Sequence, residues 1–215
     1  MPASSNSSSC SAASPARSNS DVKLLVATTN PGKVREIRSI LAGAPVDLVT
    51  LADVPAVPEP EETGCTFAEN ARLKARYYSV ATGLPSVADD SGIEIDALDK
   101  APGVHSARWH GTDYAVKFAV IYRELAARGL PTSTARFVAH VALADRGAIQ
   151  FEATGTVEGT IAAEPRGTHG FGYDPIFFYP PYGCTLAEVD GDRKAAVSHR
   201  GAAFRQLAAW LANLP

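Results

Sequence analysis

The sequence lacks the cysteine pattern of a disulfide scaffold or of a cysteine-zinc site. Its three cysteines, Cys10, Cys65 and Cys184, are far apart and odd in number, and no C-x-x-C spacing occurs. This usage fits a reducing compartment, and we predict a cytoplasmic protein. No apolar run approaches the ~18 residues that a membrane span needs, so we predict no membrane partner.

The sequence also lacks an excess of positive charge. The formal net charge is −3, and Lys and Arg are dispersed along the chain. Proteins that bind nucleic acid generally carry a basic excess or a basic stripe. The charge therefore argues against a nucleic-acid-binding module, while 46% hydrophobic and 20% charged residues are typical of a soluble globular protein.

Three common motifs of nucleotide and acyl chemistry are missing as well. No G-x-G-x-x-G follows the first predicted strand, which argues against a dinucleotide-binding fold. The Walker A pattern and the G-x-S-x-G nucleophile motif are both absent. Any nucleotide chemistry must therefore use other residues.

The first twenty residues are rich in Ser and Ala, with Arg17 as their single charged side chain. Such a segment buries too little apolar surface to fold, so we predict a disordered tail over residues 1–20. We predict one domain over residues 21–215, a length that allows two lobes around a cleft.

Hydrophobic patterning predicts an α/β fold with a mixed, largely central sheet. Val22–Thr28 and Val46–Leu51 read as strands, and between them a helix starts near Val34 and is closed by Gly43. A capping box at Thr66 to Glu69 opens a second helix that ends near Thr82.

The second half of the sequence predicts further strands and helices. Ser86–Ala88 reads as a short strand, and a half-buried strand follows over 93–97. The acidic motif Asp89-Asp90-Ser91-Gly92 then lies between them, at a strand end. Arg136–Ala144 and Ala148–Ile161 predict a hairpin, and the sequence predicts helices around 114–125 and 204–211.

The segment Thr28-Thr29-Asn30-Pro31-Gly32-Lys33 joins the first predicted strand to the first helix. A helix N-terminus with free amides, a glycine and a lysine suits a phosphate group. A plain strand–turn–helix connection with a solvated lysine explains the same residues equally well.

The segment Asp89-Asp90-Ser91-Gly92 carries two adjacent carboxylates. Neighbouring side chains of a strand point to opposite faces, so one carboxylate can face a cleft while the other is structural. A carboxylate at such a place suits Mg²⁺. Glu62, in the acidic loop Glu59–Glu62, is a candidate second ligand. A solvated turn is the competing interpretation.

Two later motifs combine aromatic and polar groups on a glycine-containing backbone. Phe171 to Asp174 offer rings and a carboxylate, and Ser198 to Arg200 offer donors for a base edge or a phosphate. Lys194 precedes the second motif, and Lys74 shares a helix face with Asn70 four residues away. A planar, hydrogen-bonding ligand such as a nucleobase suits these groups.

Read in order, these segments closely resemble the inosine/xanthosine triphosphate pyrophosphatase family. The match lies in VATTNPGK, EETGCTFAENARLKA, ADDSGIEIDAL with APGVHSAR, GFGYDPIF, and the K and SHRGAA of the C-terminal part, over residues 22–212. The resemblance implies an α/β fold of two lobes around a long central mixed sheet flanked by helices, with the nucleotide in the cleft between the lobes. It also implies a homodimer that hydrolyses ITP, dITP and XTP to the monophosphate and pyrophosphate with Mg²⁺. The first loop departs from the family's usual Thr-Gly-Asn, because Thr29 stands at the glycine position.

The resemblance also implies a role for individual residues. Asp90 is the implied general base and metal ligand, and Glu62 is the implied second metal ligand. The implied substrate-binding residues are Thr28, Thr29, Asn30, Pro31, Gly32, Lys33, Lys74, Ser91, Phe171, Gly172, Tyr173, Asp174, Lys194, His199 and Arg200.

Two alternatives remain open at this point. A different nucleotide preference, such as a modified pyrimidine, fits the same phosphate groups. A nucleotide-binding sensor without turnover is a second class, but it is expected to lack Asp90 or Glu62, and both are present.

Overall fold

A mixed sheet of seven strands runs through the protein, as a computed structural model of residues 22–214 shows. The predicted tail over residues 1–20 lies outside these described residues. The strands are β1 (Lys23–Val26), β2 (Asp47–Thr50), β3 (Ser86–Ile95), β4 (Thr134–Asp145), β5 (Ala148–Ile161), β6 (Phe177–Tyr179) and β7 (Cys184–Thr185). The α-helices of this part of the chain are α1 (Pro31–Ile40), α2 (Phe67–Thr82), α3 (Tyr114–Ala127), α4 (Gly191–Val197) and α5 (His199–Ala212).

The strand order in the sheet is β2-β1-β3-β4-β5-β6-β7. Strand β1 pairs in parallel with β2 and β3, whereas all pairs from β3 to β7 are antiparallel. The parallel part arises because helices α1 and α2 connect its strands, and the antiparallel part begins with the hairpin of β4 and β5. The predicted α/β fold with a mixed sheet is therefore confirmed.

Three clusters of buried hydrophobic residues divide this sheet into two parts. At the β1 end, Leu24 and Val26 face α1 and α5, and Leu25 and Ala27 face α2 on the other side. At the far end, a third cluster packs the end of β3 against α3 and β6. The long strands β3, β4 and β5 connect both parts.

Strand β3 differs from the prediction of two short strands with a turn between them. It is one continuous strand of ten residues, and its middle pairs with β4 at Asp89–Val141 and Asp90–His140. The turn interpretation of the acidic motif is wrong because both carboxylates have partners on the faces of the sheet and do not need solvent. The polar middle of β3 lies between the clusters, where a cleft forms.

Helix α2 begins as the capping box predicted. The Thr66 hydroxyl accepts from the amide of Glu69, and the Glu69 carboxylate accepts from the amide of Thr66. Gly83 ends the helix in the left-handed conformation that glycine adopts without strain. Helix α1 instead begins three residues before the predicted start at Val34, because the Asn30 side chain caps it.

Candidate active site

A cleft of about 270 Å³ lies over the middle of β3. Its walls come from the β1–α1 loop, the acidic loop, α2, and the segments around residues 104–107, 171–174 and 194–200. The predicted site residues that line it are Thr28, Thr29, Asn30, Lys33, Glu62, Lys74, Asp90, Ser91, Phe171, Gly172, Tyr173, Asp174, Lys194, His199 and Arg200. Pro31 and Gly32 do not line this cleft.

The β1–α1 loop is more tightly bonded within itself than the sequence predicted. The Asn30 side chain accepts from the amides of Gly32 at 2.9 Å and Lys33 at 3.2 Å. The amide of Asn30 donates to the Thr28 hydroxyl at 3.2 Å. These amides are therefore occupied, whereas the sequence predicted them to be free. A phosphate that binds the amides of Gly32 and Lys33 must displace the Asn30 side chain.

The two adjacent aspartates point to opposite sides of β3, as predicted. Asp89 is buried, and its carboxylate accepts from Arg200 Nε and Nη2 at 3.1 and 3.0 Å and pairs with Lys33 Nζ at 3.1 Å. Burial by itself raises the pKa of Asp89, but Lys33 and Arg200 outweigh it and hold that pKa well below its ordinary value. Asp89 is therefore an anion between two cations.

Asp90 lies on the cleft side of the strand. Its Oδ2 accepts from Asn70 Nδ2 at 3.0 Å, its Oδ1 accepts from the amide of Ser91 at 3.0 Å, and Lys74 Nζ is 3.7 Å away. Burial raises the pKa of Asp90, although Lys74 and Lys33 oppose that shift. A raised pKa makes this carboxylate a better proton acceptor than Asp89.

Lys74 connects the two carboxylates that the resemblance assigns to metal binding. Its Nζ donates to Glu62 Oε1 at 2.6 Å and lies 3.7 Å from Asp90. Burial lowers the pKa of Lys74, but Asp90 and Glu62 outweigh it, so the net direction is upward. Glu62 also accepts from Arg108 Nη1 at 3.3 Å.

The carboxylates of Asp90 and Glu62 suit a metal ion that takes few ligands from the protein and the rest from water or substrate. Among residues 22–214, no group of three or more His, Cys, Asp or Glu side chains is arranged to enclose a metal ion. Mg²⁺ commonly takes only one or two carboxylates, with waters and substrate phosphates completing its shell. Asp90 and Glu62 face the same cleft and fit that pattern, whereas a closed structural zinc site does not.

The ring of Phe171 lies between the start of α1 and two cations. A Cβ at Gly32 would lie 2.7 Å from this ring, so only glycine allows the ring to pack there. Lys194 Nζ lies 4.7 Å and Arg200 Cζ 5.6 Å from the ring centroid. Gly32 therefore supports the aromatic wall of the cleft without lining it.

Tyr173 and Asp174 are more buried than a free recognition loop requires. The Tyr173 hydroxyl donates to the carbonyl of Ser106 at 2.9 Å, and its ring packs edge-on against Tyr114. The Asp174 carboxylate accepts from the amide of Phe171 at 2.8 Å and from Lys194. Burial raises the pKa of Asp174, although Lys194 opposes that shift.

His199 is a buried, neutral imidazole at the wall of the cleft. It stacks on Phe137 with ring centroids 4.8 Å apart, and its Nδ1 has no hydrogen-bond partner within residues 22–214. Burial lowers the pKa of His199 well below its ordinary value, and Arg200 and Lys194 lower it further. This nitrogen is therefore both buried and unpaired among the described residues.

Arg200 forms an ion network that the sequence did not reveal. It donates to Asp89, to Ser91 Oγ at 2.8 Å and to Glu36 Oε2 at 2.6 Å. Glu36 also pairs with Lys194 at 2.7 Å. The one available signal for Glu36 was its position three residues after Lys33, on the same face of α1.

Sequence reasoning also missed the wall built by the APGVHSAR segment. Val104, Ser106 and Ala107 of this segment line the cleft, as does Tyr114 at the start of α3. The carbonyl of Ser106 accepts from the buried Lys117 at 3.0 Å as well as from Tyr173. The signal was the segment itself, which matched the family but received no role.

No helix within residues 22–214 is long and apolar enough to cross a membrane.

Comparisons with known proteins agree with the geometry. A dITP/XTP pyrophosphatase of Thermus thermophilus is 49% identical over 190 residues, which are 86% of this chain and 90% of the relative. A dITP/XTP pyrophosphatase of an Exiguobacterium species is 46% identical over 190 residues, 87% of this chain and 96% of the relative. The solved structure of a HAM1 protein from Coxiella burnetii, 39% identical, superposes with a TM-score of 0.83 and covers 90% of this chain and all of its own.

The sequence model of the Ham1 family matches residues 24–210, which include every residue assigned above to the cleft. The resemblance seen in the five motifs is therefore confirmed, and the chain belongs to the Ham1 family.

Proposed function

We propose that this protein hydrolyses deaminated purine nucleoside triphosphates, dITP, ITP and XTP, to the monophosphate and pyrophosphate. The observation that carries the proposal is the cleft-facing Asp90 beside Lys74 and Glu62, in a chain whose relatives are dITP/XTP pyrophosphatases. In this reaction a water adds to the nucleotide, the bond between the α- and β-phosphates breaks, and pyrophosphate leaves.

Asp90 is the group that takes the proton of the attacking water. It is buried at the cleft wall, and two hydrogen bonds fix its carboxylate. Lys33 and Lys74 both line the cleft and offer positive charge to the triphosphate. Hydrolysis of a phosphoanhydride needs little covalent help, so positioning and charge supply most of the acceleration.

Asp90 and Glu62 are the residues that would hold Mg²⁺. When bound, Mg²⁺ neutralises part of the charge of the triphosphate. Glu62 Oε1 accepts from Lys74, so the metal and the lysine would share this carboxylate. The loop Thr28–Lys33 binds the triphosphate in this proposal, and its polar side chains that line the cleft are those of Thr28, Thr29, Asn30 and Lys33.

Base selectivity comes from a second group of side chains in the same cleft. Phe171 provides a ring for stacking, and His199, Arg200 and Asp174 provide polar groups near it. A donor that pairs with the 6-oxo group is left unpaired by the amino group of adenine, which costs about 1–3 kcal/mol. Discrimination against guanine requires a contact at position 2 of the purine.

The assembly and the location rest on the sequence. We propose a cytoplasmic homodimer, as the family resemblance and the cysteine usage predict. Size-exclusion chromatography with light scattering tests the dimer directly.

The test of the activity is pyrophosphate release from ITP, dITP, XTP, ATP and GTP with Mg²⁺, and again with excess EDTA. We expect release from the three deaminated nucleotides, at least ~10-fold weaker release from ATP and GTP, and no release with EDTA. Equal rates on all five would refute the selectivity. Binding of ITP without any release would favour a nucleotide sensor.

A further inference from the structure

Asn70 is a fully buried residue on α2, and its side-chain amide contacts both Asp90 and the segment that follows Glu62. Its exposed fraction is 0%, and it lies one helical turn before Lys74. Its Nδ2 donates to Asp90 Oδ2 at 3.0 Å, and its Oδ1 accepts from the amide of Gly64 at 2.8 Å. One side chain thus joins the strand that carries Asp90 to the loop that carries Glu62.

The chemistry of the two partners fixes the orientation of this amide. A backbone N–H only donates, so the Gly64 amide must face the oxygen of Asn70. A carboxylate only accepts, so Asp90 must face the nitrogen. Asparagine supplies both a donor and an acceptor at this length, whereas aspartate and leucine, which have a similar shape, do not.

The acidic loop packs against Asn70 without space for a side chain at position 64. A Cβ on Gly64 would lie 2.6 Å from Asn70 Oδ1 and 3.0 Å from the backbone nitrogen of Asn70. The loop is therefore in contact with α2 at this point, two residues after Glu62. Glu62 itself pairs with Lys74, the next residue on the same face of α2.

We propose that Asn70 is a positioning residue. Through its hydrogen bonds to Asp90 and to the amide of Gly64, it holds the Asp90 carboxylate and the acidic loop Glu59–Glu62 in one fixed arrangement. This inference rests on the proposed function, in which Asp90 accepts a proton and both acidic residues bind the metal. It assigns to Asn70 an effect on turnover that does not require contact with the nucleotide.

Two substitutions separate the two hydrogen bonds. Asn70→Asp keeps an acceptor for the Gly64 amide but loses the donor to Asp90. Asn70→Ala loses both. Ser79→Ala is the matched control. Ser79 is a buried polar residue on the same helix, and its hydroxyl accepts from the backbone amide of Gly147, which is far along the chain from the acidic loop.

The two readouts are the exchange rate of the Gly64 amide hydrogen, measured by NMR, and the steady-state kinetics on ITP. We expect about 10-fold faster exchange at Gly64 in Asn70→Ala and near-wild-type exchange in Asn70→Asp. We expect kcat to fall by about 100-fold in both variants, with KM changed by less than about threefold. Ser79→Ala lowers the melting temperature but keeps wild-type kcat and Gly64 exchange.

The proposal is overturned if either folded variant retains wild-type kcat, or if Gly64 exchanges equally fast in wild type and in Asn70→Ala. The exchange measurement needs no nucleotide. Should the wild-type protein release no pyrophosphate, the proposed function fails, while the amide exchange still decides whether Asn70 holds the loop.

Discussion

At the scale of single residues, two neighbouring aspartates have opposite environments. Asp89 lies between Lys33 and Arg200, and Asp90 contacts an amide and faces the cleft. The alternation of side chains along a strand predicted this division. The partners of each aspartate were not predictable, because Arg200 is more than a hundred positions away along the chain.

The substitution Asp90→Asn separates the chemical role of this carboxylate from its structural role. Burial opposes the charged form of Asp90, so a neutral amide of the same shape is expected to leave the free energy of unfolding unchanged or higher. Loss of a general base lowers kcat by about 10²- to 10⁴-fold. Kinetics on ITP and urea denaturation measure both effects, and a loss of stability that accounts for the lost activity would contradict the role.

Glu36 and Asn70 show why the rest of the site was not predictable. Glu36 has no motif of its own, and its importance comes from Lys194 and Arg200, which α4 and α5 bring beside α1. Asn70 was noticed only as a neighbour of Lys74 on the helix. Its contact with Asp90 depends on the packing of α2 against β3, which sequence spacing does not give.

At the scale of elements, local signals predicted helix starts better than strand continuity. The capping box of α2 depends only on Thr66 and Glu69, two residues that lie three positions apart in the sequence. Strand β3 was divided in the prediction because its four middle residues are typical of a turn. Pairing with β4 along its whole length overrides that local preference.

The close approach between β3 and the wall of the cleft gives a test at this scale. A Cβ on Gly92 would lie 2.3 Å from Ser106 Oγ and 2.5 Å from the carbonyl of Gly103. We therefore expect Gly92→Ala to lower the free energy of unfolding by about 1–3 kcal/mol and to raise the KM for ITP, because the wall must move. Urea denaturation and steady-state kinetics measure the two effects.

Gly191→Ala is the matched control for that substitution. Nothing lies within 4 Å of a Cβ at Gly191, which is in the first turn of α4. We expect a free energy of unfolding that is unchanged or higher by up to about 1 kcal/mol, and an unchanged KM. Equal losses in Gly92→Ala and Gly191→Ala would contradict the close contact at Ser106.

At the scale of the whole molecule, one buried ion network connects the β1 end of the sheet to α4 and α5. Its acidic members are Asp89, Glu36 and Asp174, and its cations are Lys33, Lys194 and Arg200. The predicted mixed sheet and the family are confirmed, and the homodimer remains a prediction. The separate hydrophobic clusters at the two ends of β3 correspond to the two lobes that the resemblance implied.

This network predicts the acid limb of stability. The pKa of Asp89 in the folded protein is below its ordinary value of 3.8, so its stabilisation is complete above that pH and is lost as the pH falls further. Between that value and the lower pKa of the folded state, each pH unit costs on the order of 1 kcal/mol for this one group. We expect Asp89→Asn to be less stable at pH 7 and to lose stability less steeply between pH 4 and pH 2.

Denaturation by urea across that pH range measures the two slopes. Glu36, whose pKa is also lowered in the folded state because Arg200 and Lys194 outweigh its burial, contributes to both proteins, so the variant keeps part of the slope. Parallel curves for wild type and Asp89→Asn would show that Asp89 does not carry the acid dependence.

The most direct test of the central claim is ³¹P NMR of ITP incubated with the wild-type protein and Mg²⁺, with Asp90→Asn in parallel. Cleavage between the α- and β-phosphates predicts inosine monophosphate and pyrophosphate as the products, formed by the wild type and about 10²- to 10⁴-fold more slowly by the variant. Inosine diphosphate with inorganic phosphate, or equal rates for both proteins, would contradict the account.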